Sequence, residues 1–291
     1  KKEMEMPFDL LPENLDFDVQ FEDTKVHDKR YVVNGTTGEY IGIVGDKFNC
    51  VNHEKFFSGV YNTMLDNLGA DELATAKIDW RVARQNAWAL MDVTLPDTTH
   101  TITTDKHQTK VGQRVIALHG VDGSCSNMVF FGAIDFFCTN GMIRGEHDKV
   151  RRKNTTFFNM PTFERQLQRS KDDFYFQALR LQVMADTSLK DVNVKTLVES
   201  IIKSEKKSDK MLALYHQETS TRGHNVFSLY SAFTNYASYA DERNGFNLRN
   251  TGVDTRAVNM FNREHEVAKW TDTPQFKSLL GEMPHQAERV A

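Results

Sequence analysis

The sequence predicts an α+β fold, in which a central antiparallel β-meander is followed by a long helix and a helical C-terminal half. Between about residues 76 and 138, short apolar or β-branched runs alternate with turn signals, a pattern typical of antiparallel strands joined by hairpins. That stretch has no room for the long crossover helices that a parallel sheet requires. Beyond Gly145 the apolar residues recur at helical spacing instead.

Composition sets the outer limits of the prediction. The 291-residue chain has 40% hydrophobic residues and a formal net charge of −4, so nucleic-acid binding would need a local basic patch. No apolar run approaches the roughly 20 residues of a transmembrane helix, and the first residues lack the apolar segment of a secretory signal. Cys50, Cys125 and Cys138 have no CxxC spacing, which argues against a zinc ribbon. We expect a cytoplasmic protein without a membrane segment.

The chain divides into three predicted regions. Residues 1–29 are acidic and irregular and are predicted to form an N-terminal arm, residues 30–241 form the core α+β domain, and residues 242–291 form a C-terminal helical segment and tail. Within the core, Arg30–Val33 and Glu39–Val44 are predicted to pair as a hairpin, because the Asn and Gly residues between them accept positive φ.

The central sheet is predicted from five short runs. A helix capped by Asn52 and ended by Gly69 precedes it. Thr99–Thr104 is polar and β-branched, which suits a separate edge strand. The predicted strands are Lys77–Ala83, Ala87–Leu95, Thr99–Thr104, Val115–Leu118 and Met128–Cys138, with a turn at Val121–Ser124 before the last one.

Helices are predicted from about residue 160 onward, because apolar residues fall on one face at 3.6-residue spacing. Lys203–Lys210 is strongly charged and is predicted to be a solvated connector rather than a helix. The predicted helices are Thr162–Ala185, a short one capped by Asn193, His224–Ala240 and Asp254–Lys269.

The sequence contains no recognisable catalytic constellation. No histidines have the HxxxH spacing of a helical zinc site, and no GxxxxGK[ST] loop is present to bind phosphate. His119 on a strand is expected to be a hydrogen-bonded structural residue, and Asp122 and Asp135 are isolated carboxylates. We therefore predict no cofactor and no metal site, and the missing motifs favour a protein without catalytic activity.

A basic and aromatic segment joins the last strand to the long helix. Phosphates are bound by clustered cations, and unpaired bases stack on planar rings, so this segment predicts a single-stranded nucleic-acid surface. A solvated basic loop beside core aromatics would have the same composition. The residues are Arg144, Lys149, Arg151, Arg152, Lys153, Arg165 and Arg169, together with Phe157, Phe158 and Phe163.

Three segments resemble a phage/plasmid-like family that is catalogued as a domain of unknown function. Gly38–Asn52 resembles its G-x-V-G-D-x-Y-x-V-x-N stretch. Asp122–Ser124 and Phe137–Gly141 resemble its HDGS…VVCxN core, and Leu229–Tyr236 is similar to its late LYNAVTxY helix. The likeness follows the family's order.

Two features depart from the family pattern. The family's early Pro-Trp-His-Gly element is missing, and Val121 replaces the histidine before Asp-Gly, with His119 two residues upstream. A role of that histidine in relatives therefore does not transfer directly to this chain.

The order of elements is also similar to the β-β-β-α core of phage single-strand annealing proteins, which form rings or filaments and pair complementary strands without ATP. This resemblance implies a homo-oligomer that binds single-stranded DNA, in which sheet edges join protomers. It implies that the cations of the basic segment contact phosphates and that one or more of its phenylalanines stack on bases. The expected setting is recombination or replication in an infected or plasmid-bearing bacterium.

Two alternative functions stay open at this point. The acidic N-terminal region and the negative net charge are compatible with a non-catalytic phage interaction protein that binds a host or phage protein and antagonises a host factor. A metal-dependent nuclease would have to use His119, Asp122 or Asp135.

Overall fold

The protein is an α+β molecule, as predicted. The computed structural model describes residues 10–135, 141–143, 150–152, 159–240 and 253–282, with only the backbone described at 143, 150–152 and 253–255. The described strands are β1 Val19–Asp23, β2 Lys29–Asn34, β3 Tyr40–Gly45, β4 Lys77–Ala83, β5 Trp88–Thr103, β6 Gln108–Gly120, β7 Asn127–Asp135, β8 Gly141–Ile143 and β9 Val150–Arg152. The described helices are α1 His53–Leu68, α2 Ala70–Ala74, α3 Met160–Asp186, α4 Val194–Ile201, α5 Glu205–Arg222, α6 Val226–Tyr239, α7 Val253–Thr271 and α8 Pro274–Leu279.

A three-stranded antiparallel sheet in the order β1-β2-β3 forms the N-terminal part. The predicted hairpin is confirmed as β2 and β3. The predicted irregular arm is corrected, because its residues Val19–Asp23 pair with residues 30–34 of β2 and Leu15 and Phe17 are buried. Val19 and Phe21 form a short apolar alternation, but the acidic residues around them made the segment resemble an irregular arm.

Helix α1 begins and ends where the sequence indicates. The side-chain oxygen of Asn52 accepts a hydrogen bond from Lys55 N at 2.9 Å, which satisfies one of the amides that the first turn leaves unpaired. Gly69 ends the helix with a φ of 89°, a conformation that only glycine adopts without strain. Phe56, Phe57 and Val60 of the helix pack toward the larger sheet.

The larger sheet has six described strands, and β4 to β8 follow one another in sequence order while β9 also pairs with β7. The separate edge strand predicted at Thr99–Thr104 is wrong, because β5 continues through Thr103. A register shift between Leu95 and Thr99 accommodates Pro96, whose missing N–H would interrupt a regular ladder. Among the described strands the extension pairs with β6 alone, which explains its polar composition.

Both faces of the larger sheet are covered. On one face, Met91, Val115 and Phe131 pack in a cluster with residues of α1 and α3. On the other face, Trp88 and Phe130 pack against Phe261 of α7. This double coverage explains why the strands are apolar at successive positions instead of alternating.

The C-terminal half is helical as predicted, with two corrections. Lys203–Lys210 is not a connector, because Ser204 caps α5 by accepting a hydrogen bond from Lys207 N and the helix continues to Arg222. Glu205 and Lys206 at its start are exposed, whereas Met211 and Tyr215 are buried further along the helix. The predicted polar tail likewise contains a helix, α8, whose Phe276 is fully buried.

A cluster of buried charges joins α7 to the larger sheet. Arg114 Nη2 lies 2.6 Å from Asp92 Oδ2 and 3.1 Å from Glu264 Oε1, and Arg81 Nη1 lies 3.0 Å from Glu264 Oε2. Burial opposes ionisation of Glu264, but the charges of Arg114 and Arg81 outweigh it and lower its pKa to about 2. Two arginines and two carboxylates balance in this cluster, so removal of any one of them leaves one uncompensated charge in the interior.

Replacement of Glu264 should destabilise the protein strongly. We expect Glu264→Gln, which keeps the side-chain volume, to lower the free energy of unfolding by about 3 kcal/mol, because the buried guanidinium group of Arg114 and the partly buried one of Arg81 lose their shared counter-ion. Glu266→Gln is the matched control, since its partly exposed carboxylate pairs with Lys207, and we expect a decrease below about 1 kcal/mol. Urea unfolding measures both, and equal decreases would contradict the role assigned to the cluster.

Candidate functional site

Strand β9 places part of the basic segment at the edge of the larger sheet. Arg151 pairs with Met128 and Arg152 with Asn127 of β7, and β7 is its only strand partner within the described residues. Arg144, Lys149, Lys153, Phe157 and Phe158 lie outside the described residues.

Helix α3 begins shortly after β9 and presents two arginines to solvent. Asn159 caps the helix by accepting a hydrogen bond from Thr162 N at 3.2 Å, and Pro161 occupies its first turn, where a missing N–H costs nothing. Arg165 and Arg169 are exposed, and Arg165 Nη2 donates to Thr162 Oγ1 at 3.0 Å. Within the described residues, neither arginine forms an ion pair.

The structure does not place Phe163 on a nucleic-acid surface. Its ring is fully buried and contacts Phe131 of β7 with ring centroids 6.1 Å apart. The helical phase explains this, because Phe163 lies on the same side of α3 as the buried Leu167 and Phe174. A base-stacking role for Phe163 is therefore excluded in this conformation.

Exposed aromatic rings lie further along α3. Tyr175 is 48% exposed and Phe176 is 64% exposed, whereas their neighbour Phe174 faces the core. The sequence prediction of the basic and aromatic surface did not include these two rings. The periodicity of the apolar residues Phe163, Leu167 and Phe174 was the signal that could have located them.

Two segments that resemble the family motifs meet at the β6–β7 turn. Gly42 of β3 packs so closely against this turn that a Cβ at Gly42 would lie 2.9 Å from Asp122 Cβ. Cys50 Sγ lies 3.7 Å from Val121 O, and Val121 is buried with Ile41 and Val44 of the small sheet. These contacts dock the small sheet onto the larger one, so a structural role accounts for both motifs.

A pair of buried histidines lies beside this turn. His53 Nε2 donates to Asn86 O at 2.7 Å, so Nδ1 of the neutral ring is an acceptor, and His119 Nδ1 donates to it at 2.9 Å. Phe56 stacks on His119 with ring centroids 4.6 Å apart. Burial lowers the pKa of His53 to about 4, and burial with the neighbouring His53 lowers the pKa of His119 well below its usual value. The prediction of a structural His119 agrees with this geometry.

The thiols and carboxylates near the turn do not form a reactive centre. Burial, reinforced by Asp122, raises the pKa of Cys50 and of Cys125 to about 12, so both are neutral thiols. Asp135 is buried at the opposite end of β7, where its Oδ2 lies 2.7 Å from Arg222 Nη2. At about 3.4 Å per strand residue, the carboxylates of Asp122 and Asp135 lie on the order of 25 Å apart.

The nuclease alternative loses its support from these residues. A metal-dependent centre needs several ligands converging on one ion, but His119 is engaged with His53, and Asp122 and Asp135 lie far apart. Among the described residues, no group of three or more His, Cys, Asp or Glu could hold a metal ion.

No helix in the described ranges is long and apolar enough to span a membrane.

The candidate site of this α+β protein consists of the arginines on the edge strand β9 and the exposed arginines in the first turns of α3. A family model described as a domain of unknown function (DUF932) matches residues 40–269. The chain belongs to this family. No curated protein and no solved structure matches the chain.

The histidine pair should make the protein sensitive to acid. Because both folded-state pKa values are lowered, the unfolded state binds protons that the folded state does not. The stability is therefore complete above the unfolded value near 6.5 and decreases as the pH falls toward 4. We expect each histidine to contribute a decrease of about 1.4 kcal/mol per pH unit in this window.

Urea unfolding between pH 7.5 and 4.5 measures this slope. The variant His119→Phe removes the second titrating ring and should roughly halve the His-dependent slope. His216→Gln alters an exposed histidine of α5 and should leave the slope unchanged. A slope that His119→Phe does not reduce would show that other groups cause the acid sensitivity.

Proposed function

We propose that this protein binds single-stranded DNA and promotes the ATP-independent annealing of complementary strands in recombination or replication. The observation that carries the proposal is the succession of cations from the edge strand β9 to the start of α3. Arg151 and Arg152 lie on an edge strand, and Arg165 and Arg169 are exposed on the helix that follows a short link. A surface of this kind can follow a flexible phosphate backbone.

Electrostatics supports the proposal despite the negative net charge of the chain. Affinity for nucleic acid depends on the local number of phosphates neutralised rather than on the total charge. Among the described residues, no carboxylate lies within ion-pair distance of Arg165 or Arg169, so no described ion pair neutralises their charges. Arg144, Lys149 and Lys153 extend the same basic segment in the sequence, and we assign them phosphate contacts as well.

Base stacking is assigned to rings other than Phe163. Phe157 and Phe158 lie in the link between β9 and α3 and remain candidates on sequence grounds. Tyr175 adds a half-exposed ring on α3, where it contacts His100 with ring centroids 5.3 Å apart. Such rings stack on any base, so we expect binding without strong sequence preference.

The remaining parts of the proposal follow from the kind of protein that the sequence resembles. The missing GxxxxGK[ST] loop fits a reaction that needs no ATP, because base pairing of complementary strands lowers the free energy once the strands are brought together. We assign the protein to a phage or another mobile element and its activity to the bacterial cytoplasm. Annealing requires two strands on one particle, which favours a homo-oligomer.

Charge reversal tests the binding surface. We expect Arg151→Glu/Arg152→Glu/Arg165→Glu to weaken binding of a fluorescent oligonucleotide by at least about tenfold. The slope of log affinity against log salt should also fall by about 0.7 for each phosphate that the variant no longer neutralises. Fluorescence anisotropy at several salt concentrations measures both quantities.

A matched control separates local from global charge. Lys190→Glu/Lys203→Glu/Lys206→Glu makes the same change in net charge at exposed lysines elsewhere on the surface, and it should bind almost as the unmodified protein does. Equal weakening in the two triple variants, or no salt-sensitive binding by the unmodified protein, would sink the proposal. An annealing assay with complementary oligonucleotides then tests the second step.

A further inference from the structure

The outer face of α3 carries a regular seam that the core does not use. Exposed positions recur along the helix at alternating spacings of four and three residues, which is the heptad pattern of a helix that packs lengthwise against another helix. These positions are Arg165, Arg169, Asp172, Phe176, Leu179, Val183 and Asp186, and all of them are exposed.

The centre of this seam is apolar and its ends are charged. Phe176 is 64% exposed, and Leu179 and Val183 are each 44% exposed. Three large apolar side chains in line on one solvent-facing helix are a costly arrangement for a monomer, because their burial would release about 25 cal/mol per Å² of apolar surface. Arg169 lies toward one end of the seam and Asp186 lies at the other end.

We propose that two copies of this chain pair through α3 in antiparallel orientation, about a two-fold axis that crosses the seam between Gln177 and Ala178. This register places Phe176 against the partner subunit's Leu179, and symmetry repeats the contact on the other side of the axis. It also places Arg169 against the partner subunit's Asp186. An isologous interface must be self-complementary, and this register meets that condition for charge at Arg169 and Asp186 and for apolar contact at Phe176 and Leu179.

The groups that would form the end contacts are available. Gln182 Nε2 donates to Asp186 Oδ1 at 2.9 Å, which leaves Oδ2 for a second donor, and the described residues provide no partner for the guanidinium of Arg169. A guanidinium has five N–H donors, so Arg169 can bind the partner's carboxylate and still contact a phosphate. The parallel arrangement lacks this complementarity, because it would align identical charges.

One position in the seam is unfavourable and therefore informative. The antiparallel register places Asp172 against the partner subunit's Val183, which leaves a carboxylate beside an apolar side chain. We expect Asp172→Leu to tighten the pairing at least about threefold, because it replaces a desolvated charge with an apolar contact. If the chain did not pair through this seam, Asp172→Leu would not change the average mass measured in solution.

The test measures the mass of the full chain in solution, without nucleic acid, from about 1 to 100 µM by sedimentation equilibrium. We expect a reversible dimer, and we expect Phe176→Asp to raise its dissociation constant at least about tenfold, because each substitution occurs twice in a two-fold dimer. Ile43→Asp is the matched control, since Ile43 is 60% exposed on β3 and outside the seam.

A charge exchange tests the register itself. Arg169→Glu and Asp186→Arg should each weaken the dimer, because each places like charges opposite one another, and the double variant should restore it. Within one chain the two residues lie about 25 Å apart along the helix, so only a contact between copies can produce this rescue.

Each result bears on the proposal. A protein that stays monomeric at 100 µM, a dimer that Phe176→Asp leaves intact, or a double variant without rescue would overturn it. Circular dichroism and urea unfolding of each variant check that the fold is retained, which is expected because the changed side chains are exposed. The outcome is independent of DNA binding, because the mass is measured without nucleic acid and Phe176 and Leu179 at the centre of the seam are not among the residues assigned to DNA.

Discussion

The burial of one sheet on both faces is the constraint on which the rest of the structure depends. Helices α1 and α3 cover one face with apolar contacts, while α7 covers the other with apolar contacts and with the charge cluster around Glu264. Loss of any one charge from this cluster should destabilise the fold, because buried charges are stable only when they balance one another. The cluster therefore fixes the position of α7, although that helix is far from the sheet strands in sequence.

Elements with local signals could be predicted from the sequence. Asn52 and Asn193 cap their helices through their own side chains, and the Gly69 turn depends on one residue. The corrected elements depend on distant partners instead. Strand β1 is stable because β2 lies beside it, and the charged first turn of α5 is helical because later turns of that helix are buried. Local composition alone does not contain this information.

The candidate site likewise contains some residues with a local sequence signal and some contacts that depend on distant partners. The basic segment and the two arginines of α3 can be found in the sequence, since a cluster of positive charges is identified from residue type alone. The orientation of Phe163 required the phase of the helix, which apolar periodicity could have supplied. The contact between His53 and His119 joins residues 66 positions apart, and no local pattern predicts it. The docking contact between the two sheets at this place also joins residues that are distant in the sequence, such as Ile41 and Val121.

Helix α3 connects these conclusions, because its two faces serve different purposes. Its inner face completes the core, so the helix backbone is already ordered. Pairing through the outer face therefore costs no further backbone conformational entropy. A two-fold pairing through that seam closes on itself, so a ring or a filament would need a second contact. The pair would place two identical basic surfaces about 37 Å apart, measured between the two Arg165 positions along the helices. One particle would then hold two strands, or two stretches of one strand, and the second binding event would benefit from the first.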